Sequence, residues 1–233
     1  MGNNKYVDFV DDKFFLECVR EVCEVYYREK KELTVDSLKG NGLDPFKSVF
    51  DMANRGISFE QWMEEERSRQ EDKTLNNKIG EFHQKLLGGV KGWTDLGVGN
   101  DTELDLKKDD DTIFMEIKNK YNTINSDSGN KVRDKLGDAA RKNPKAIVYF
   151  AYIISKKNDS GEKVWKKKGR ETNVRIKKIW GSKVYALVTE KEDALKKTWE
   201  ALPIAINDYM KGKAEISEDD KNKLVMSFGS VLG

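Results

Sequence analysis

The segment TELDLKKDDDTIFMEIKNKYNT, residues 102–123, constrains the fold more than any other. It reads as two strands joined by an acidic turn. The run TIFM is apolar on both faces, and a strand of that kind belongs inside a sheet covered from both sides. Charges follow it at once. Successive strand side chains alternate faces, so Glu116 and Lys118 are neighbours on one face while Met115 and Ile117 point to the other. If the strand carrying Asp105 pairs antiparallel to this one, Asp105 comes near Glu116.

The rest of the chain supplies layers to cover such a strand. Before it, apolar residues at Val7, Val10, Phe14, Cys18, Val22 and Val25 fall at helical spacing. Asp44 with Pro45 predicts the start of a short helix running through Ala53. Ser58 with Gln61 makes a capping box that opens a long helix to about Leu87, polar in its middle and amphipathic at its end. After Gly88-Gly89 the texture changes. GWTDLG, TELDLKK, TIFMEIKN, KAIVYFAYIIS and KVYALVT read as strands. A helix is predicted from about Asn130 to Arg141, and VWKKKGRETNVRIKKIWG adds a strand or hairpin on an edge. The C-terminal part returns to helices. The pattern predicts an α/β chain: residues 1–74 form a helical part packed against a core of 75–233.

Composition removes several function classes. With 37% hydrophobic and 36% charged residues the chain is globular with a polar surface, and no apolar run approaches a membrane span of ~20 residues. No membrane role and a cytoplasmic setting are expected. Cys18 and Cys23, five apart on a helix, match neither a metal knuckle nor a redox pair, and read as buried thiols in a reducing compartment. His83 is the only histidine and reads as a packed residue, which leaves little for zinc or histidine-metal chemistry. Net charge is only +2, but residues 162–183 hold nine Lys/Arg against two Glu. Such a local excess suits a grip on nucleic acid, and equally a solvated hairpin.

Paired carboxylates carry the chemistry. Two acids placed together repel, and one takes up a proton unless a cation joins them. Mg²⁺ takes oxygen ligands, typically one or two carboxylates with waters and phosphate. Asp105, Glu116 and the backbone carbonyl of Ile117 are therefore the candidate ligands. Such an ion polarises a scissile phosphate and activates a bound water, and Lys118 would stabilise the nucleophile or the developing charge. An acid-x-Lys pair alone is a weak signal. The polar sequel NKYNTINSDS strengthens it, because short hydrogen-bonding side chains suit a phosphate backbone or base edges. The candidate DNA contacts are Lys120, Asn122, Thr123, Asn125 and Ser126, then Lys131, Arg133 and Lys135 in the following helix. Lys166 to Lys168 and Arg170 are further candidates for the backbone.

Asp105 followed by Glu116-x-Lys118 resembles the catalytic core of the PD-(D/E)xK nucleases. The longer string LGVGNDTELDL…MEIKNKYNT is similar to the type II restriction endonucleases that cut GGNCC-type sites, over about Ile79 to Arg141. Leu104 stands where the short form of the motif has proline. The resemblance implies a restriction-endonuclease-like mixed β-sheet core flanked by helices. It implies a metal- and water-handling triad of Asp105, Glu116 and Lys118, with Glu81 as a further acid from a preceding helix. Asp95 and Asp101 are alternative upstream acids, Asp95 reading better as a turn residue. It also implies Mg²⁺, a homodimer on a short palindromic site in double-stranded DNA, 5′-phosphate products, and a cognate DNA methyltransferase in the same system. Two other readings stay open: a repair or junction-resolving nuclease of the same fold, and a non-catalytic DNA-binding module.

Overall fold

The run Ile113–Met115 lies inside a sheet, as its two apolar faces require. In the computed structural model, which describes residues 4–27, 43–97, 99, 103–213 and 216–232, six strands pair in the order β1-β2-β3-β4-β6-β5. They are β1 Trp93–Asp95, β2 Leu106–Lys108, β3 Ile113–Lys120, β4 Ile147–Ile154, β5 Gly161–Val164 and β6 Ile176–Trp180. The central strands β3, β4 and β6 are parallel, while β1, β2 and β5 run antiparallel to their neighbours. The described helices are α1 Asp12–Tyr27, α2 Pro45–Arg55, α3 Phe59–Gly88, α4 Ser126–Lys142, α5 Ser182–Thr189, α6 Ala194–Tyr209 and α7 Glu218–Leu232. This is the mixed sheet flanked by helices that the resemblance implies.

Each face of the sheet has its own core. On one face Met115, Ile117, Tyr149 and Ala151 pack against Phe15 and Val19 of α1, Phe82, Leu86 and Leu87 of α3, and Val184 and Tyr185 of α5. On the other, Phe114, Val148, Phe150 and Ile176 pack against Val132, Leu136, Ala139 and Ala140 of α4. Helix α4 is the crossover between parallel strands β3 and β4, which the geometry of parallel pairing demands.

Local signals act as read. The Asp44 side chain accepts from the N–H groups of Phe46 and Lys47 with Pro45 behind it, and both bonds of the Ser58/Gln61 capping box form. Helix α2 runs on to Arg55, where Gly56 at φ 64° closes it. Helix α3 is continuous over 30 residues, so position 74/75 falls within it. Its first turns hold Trp62 and Met63 against Leu43, Met52 and Ile57, and its last turns join the main core. Gly88 is where α3 meets β1: a Cβ there would stand 2.5 Å from the Cβ of Asp95.

Two expectations are corrected. KVYALVT is not a strand but helix α5, with Val184, Tyr185 and Val188 buried on one side. Their burial, at roughly 1.5–3 kcal/mol per large apolar side chain, outweighs a helix-propensity penalty below ~0.7 kcal/mol per residue. The strand in that region is β6, whose Ile176 and Ile179 are buried between β4 and β5. It pairs antiparallel with edge strand β5, so a hairpin does sit on the edge, its first arm at Gly161–Val164. Helix α4 begins at Ser126, four residues earlier than Asn130, with Asn125 as its N-cap.

Candidate active site

The acids and the lysine meet where β2 begins beside the middle of β3. The antiparallel register pairs Leu106 with Met115, which sets Asp105 opposite Glu116. The Asp105 N–H donates to the Met115 carbonyl at 3.0 Å, and the Ile117 N–H donates to Asp105 Oδ2 at 2.7 Å. A strand residue turns its N–H and C=O to the same side. The Ile117 carbonyl therefore opens on the edge of β3 where Asp105 sits, past the end of β2.

Lys118 bridges the two acids. Its Nζ lies 2.8 Å from Glu116 Oε1 and 3.5 Å from Asp105 Oδ2. Glu116 is 5% exposed. Burial, then the neighbouring Asp105 charge, push its carboxyl above the usual carboxylate range, against the pull of Lys118 and Lys135. Lys118 is pushed up too: burial alone would lower it, but Asp105 and Glu116 together win. Two acids against one ammonium leave the cluster short of positive charge.

One observation stands out. The buried side-chain polar atoms without a partner among the described residues are Glu116 Oε2, Asn119 Oδ1 and Arg133 Nε. All lie on β3 or on α4, which follows it. Buried polar atoms are nearly always paired, because an unpaired one costs ~1–3 kcal/mol. The Glu116 and Asp105 carboxylates, with the Ile117 carbonyl on the same strand edge as Asp105, are a donor set of oxygens short of a cation, which fits a divalent ion of the hard, oxygen-preferring kind. Among the described residues no cluster of three or more His, Cys, Asp or Glu is placed to hold a metal; the carboxylates come as a pair.

The remaining expected residues are scattered. Glu81 lies on α3, exposed, its carboxylate paired with Lys78 of the same helix. The α3 side chain that reaches the site is Gln84, which donates to Asp95 Oδ1 at 2.8 Å and to the Asp105 carbonyl at 3.5 Å. Asp95 Oδ1 also accepts from the Gly97 N–H, a turn contact. Asp101 lies outside the described residues. His83 is packed, with Nδ1 2.7 Å from the Tyr185 hydroxyl.

The polar sequel does two things. Thr123 closes a turn onto the Lys120 carbonyl, and Asn125 accepts from the Ser128 N–H to cap α4. Local structure thus explains part of the stretch. The backbone of Ser126 opens α4. Lys120 donates to Asn76 of α3 at 3.3 Å, and Lys135 reaches Glu103. Arg133 is 6% exposed, donating to the Glu171 carbonyl, so its guanidinium is inside the protein and not on an open face. Burial lowers its pKa. Asn122 and Lys131 stand exposed. Sequence reasoning missed Gln84, whose only signal is its place one helical turn after Glu81, and Asn119, hidden within the acid-x-Lys-Asn string.

Comparison with known proteins shows which family this chain resembles. The model of the Eco47II restriction endonuclease family matches residues 7–211. The type II restriction enzyme Sau96I of Staphylococcus aureus is 34% identical over 221 residues, covering 90% of this chain and 83% of that protein. The type II restriction enzyme Eco47II of Escherichia coli is 34% identical over 222 residues, covering 88% and 90%.

Proposed function

Because the chain belongs to the Eco47II restriction endonuclease family, we propose that it is a Mg²⁺-dependent type II restriction enzyme acting at a short palindromic GGNCC-like site in double-stranded DNA. The observation that carries the site assignment is Glu116 Oε2, buried without a partner among the described residues, on a carboxylate that shares Lys118 with Asp105.

Asp105, Glu116 and the Ile117 carbonyl would hold the ion. When bound, Mg²⁺ supplies Lewis acidity toward the scissile phosphate and acidifies a water. The chain's own residues do the rest. The Ile117 N–H fixes the rotamer of Asp105, and the covered sheet face keeps bulk water from Glu116. Lys118, relieved of part of its bridging role, turns its ammonium to the attacking water or to the phosphate oxygen that gains charge. Water attacks phosphorus, the bond to the 3′ oxygen breaks, and a 5′-phosphate and a 3′-hydroxyl remain. Asn122, in the turn after β3, and Lys131, on α4, are exposed and remain candidate DNA contacts. We further propose a homodimer matching the two-fold DNA site, residues 1–74 serving as a helical part on the 75–233 core, and action in the cytoplasm beside a cognate methyltransferase.

Digestion of phage DNA with Mg²⁺ tests this reading. A ladder of discrete fragments is expected. Cutting confined to branched DNA would point instead to a junction-resolving enzyme.

A further inference from the structure

The face of the sheet that carries Glu116 and Lys118 continues past them in ordered rows. The register places Phe114, Val148 and Ile176 side by side, buried under α4. Two residues along each strand, Glu116 aligns with Phe150, then Lys178, then Lys163 on edge strand β5. Two further on, Lys118 aligns with Tyr152 and Trp180, and the row ends at Gly161. Going toward the C-terminal ends of the parallel strands, the face passes from apolar to charged and aromatic.

Lys163 and Lys178 have no ion pair with a carboxylate among the described residues. Their ammonium groups lie over rings instead: Lys163 Nζ is 5.3 Å from the Trp180 ring centre, and Lys178 Nζ is 4.7 Å from that of Trp165. The contrast with the opposite face of the same two strands is direct. There Lys177 is neutralised by Glu162 at 2.6 Å. The acid of β5 thus serves the far face; the carboxylate beside the near row, Asp159, accepts from the Trp180 indole N–H at 3.0 Å and leaves Lys163 and Lys178 without an ion pair among the described residues. Lys178 feels this: burial, then Lys163 and Lys167, hold its pKa below the ordinary lysine range. In the next row Tyr152 and Trp180 stack in parallel at 5.9 Å. Gly161 lets Trp180 lie flat on β5, since a Cβ there would meet its ring at 2.6 Å.

We propose that Lys163 and Lys178 form a phosphate track that holds the backbone of the cleaved DNA strand to one side of the scissile phosphate, with Tyr152 and Trp180 as its floor. The proposal rests on the nuclease reading above and adds where the strand runs. Strands lie ~4.8 Å apart, so the track reaches roughly 10–15 Å from β3. That is a run of three or four nucleotides at ~3.4 Å rise each. Like charges left unpaired beside apolar rings are costly in the free protein, and phosphates relieve that cost.

The test is DNA binding by the full chain in EDTA, as a function of salt, on a duplex the enzyme cuts and on one of unrelated sequence. Lys163→Met and Lys178→Met keep the stems and remove the charges; Lys221→Met on α7 is the control. Each track variant is expected to lower the slope of log K against log salt by ~0.9 and to weaken binding about five- to ten-fold at 0.1 M salt on both duplexes. Lys178→Arg should restore both. An unchanged slope, or one no more altered than in the control, would overturn the track, as would a lowered unfolding midpoint with the wild-type slope. Lys163 is exposed on an edge strand, so its variant carries the test even if Lys178→Met folds poorly. Wild-type protein that neither binds nor cuts DNA would instead mark failure of the nuclease reading.

Discussion

Lys118 grips one oxygen of Glu116 at 2.8 Å and leaves the other buried with no partner among the described residues. The pair is thus half-satisfied in the free protein, and the missing half is where the proposed cation would sit. Lys118→Ala should cut the cleavage rate by at least ~10²–10³-fold, the scale for losing one preorganised group that stabilises charge. It should also lower stability by up to ~3–5 kcal/mol, because it strips a buried carboxylate of its counter-charge. Glu116→Gln should lose cleavage while staying folded. Cleavage rates and urea unfolding of both variants check this.

His83 gives a pH signature. Burial depresses its pKa to about 4 from an ordinary value of 6.5. The unfolded chain therefore binds a proton that the folded one refuses between those values, and stability falls as pH drops through that window. At pH 5 the loss relative to pH 7 is on the order of 2 kcal/mol. Glu116, pushed upward, works in the opposite sense. The difference between wild type and His83→Gln cancels that contribution. The variant should lose less stability between pH 7 and pH 5 than the wild type, as read from unfolding midpoints at the two pH values.

Asn122 and Asn125 should separate. Asn125 caps α4 through the Ser128 N–H, so Asn125→Ala should cost ~1 kcal/mol of stability with or without DNA. Asn122 is exposed. Asn122→Ala should leave stability within ~0.5 kcal/mol and reduce cleavage at the cognate site. Thermal unfolding paired with digestion rates distinguishes the two.

How far the placement of these residues could be read in advance depended on range. Asp105, Glu116 and Lys118 were legible because strand alternation and one hairpin bring them together, and both act over short distances. The capping signals at Asp44 and Ser58 were legible for the same reason. KVYALVT was not, since a short apolar run is compatible with strand or buried helix until the packing partner is known. Nor was the burial of Arg133: its neighbour Glu171 is 38 residues away, and only the folded sheet sets that carbonyl against α4. NKYNTINSDS carries local structure that its composition did not announce: Thr123 closes a turn and Asn125 caps a helix. The row from Glu116 to Lys163 needed the strand order, in which β6 lies inside β5.

Metal removal should uncouple binding from cutting. In EDTA the wild-type protein is expected to bind its DNA, held by Lys and Arg contacts to the backbone, and to cut none of it. Added Mg²⁺ should restore cutting, and gel-shift and digestion assays on one sample compare the two.

The central claim is that Asp105, Glu116 and Lys118 cut DNA at one sequence with Mg²⁺. Sequencing the ends of plasmid fragments made by wild type and by Glu116→Gln tests it most directly. The account predicts 5′-phosphate ends at a single GGNCC-like sequence from the wild type, and none from Glu116→Gln at comparable DNA binding. Wild-type rates of cutting by Glu116→Gln, or wild-type cutting that persists in EDTA, would contradict it.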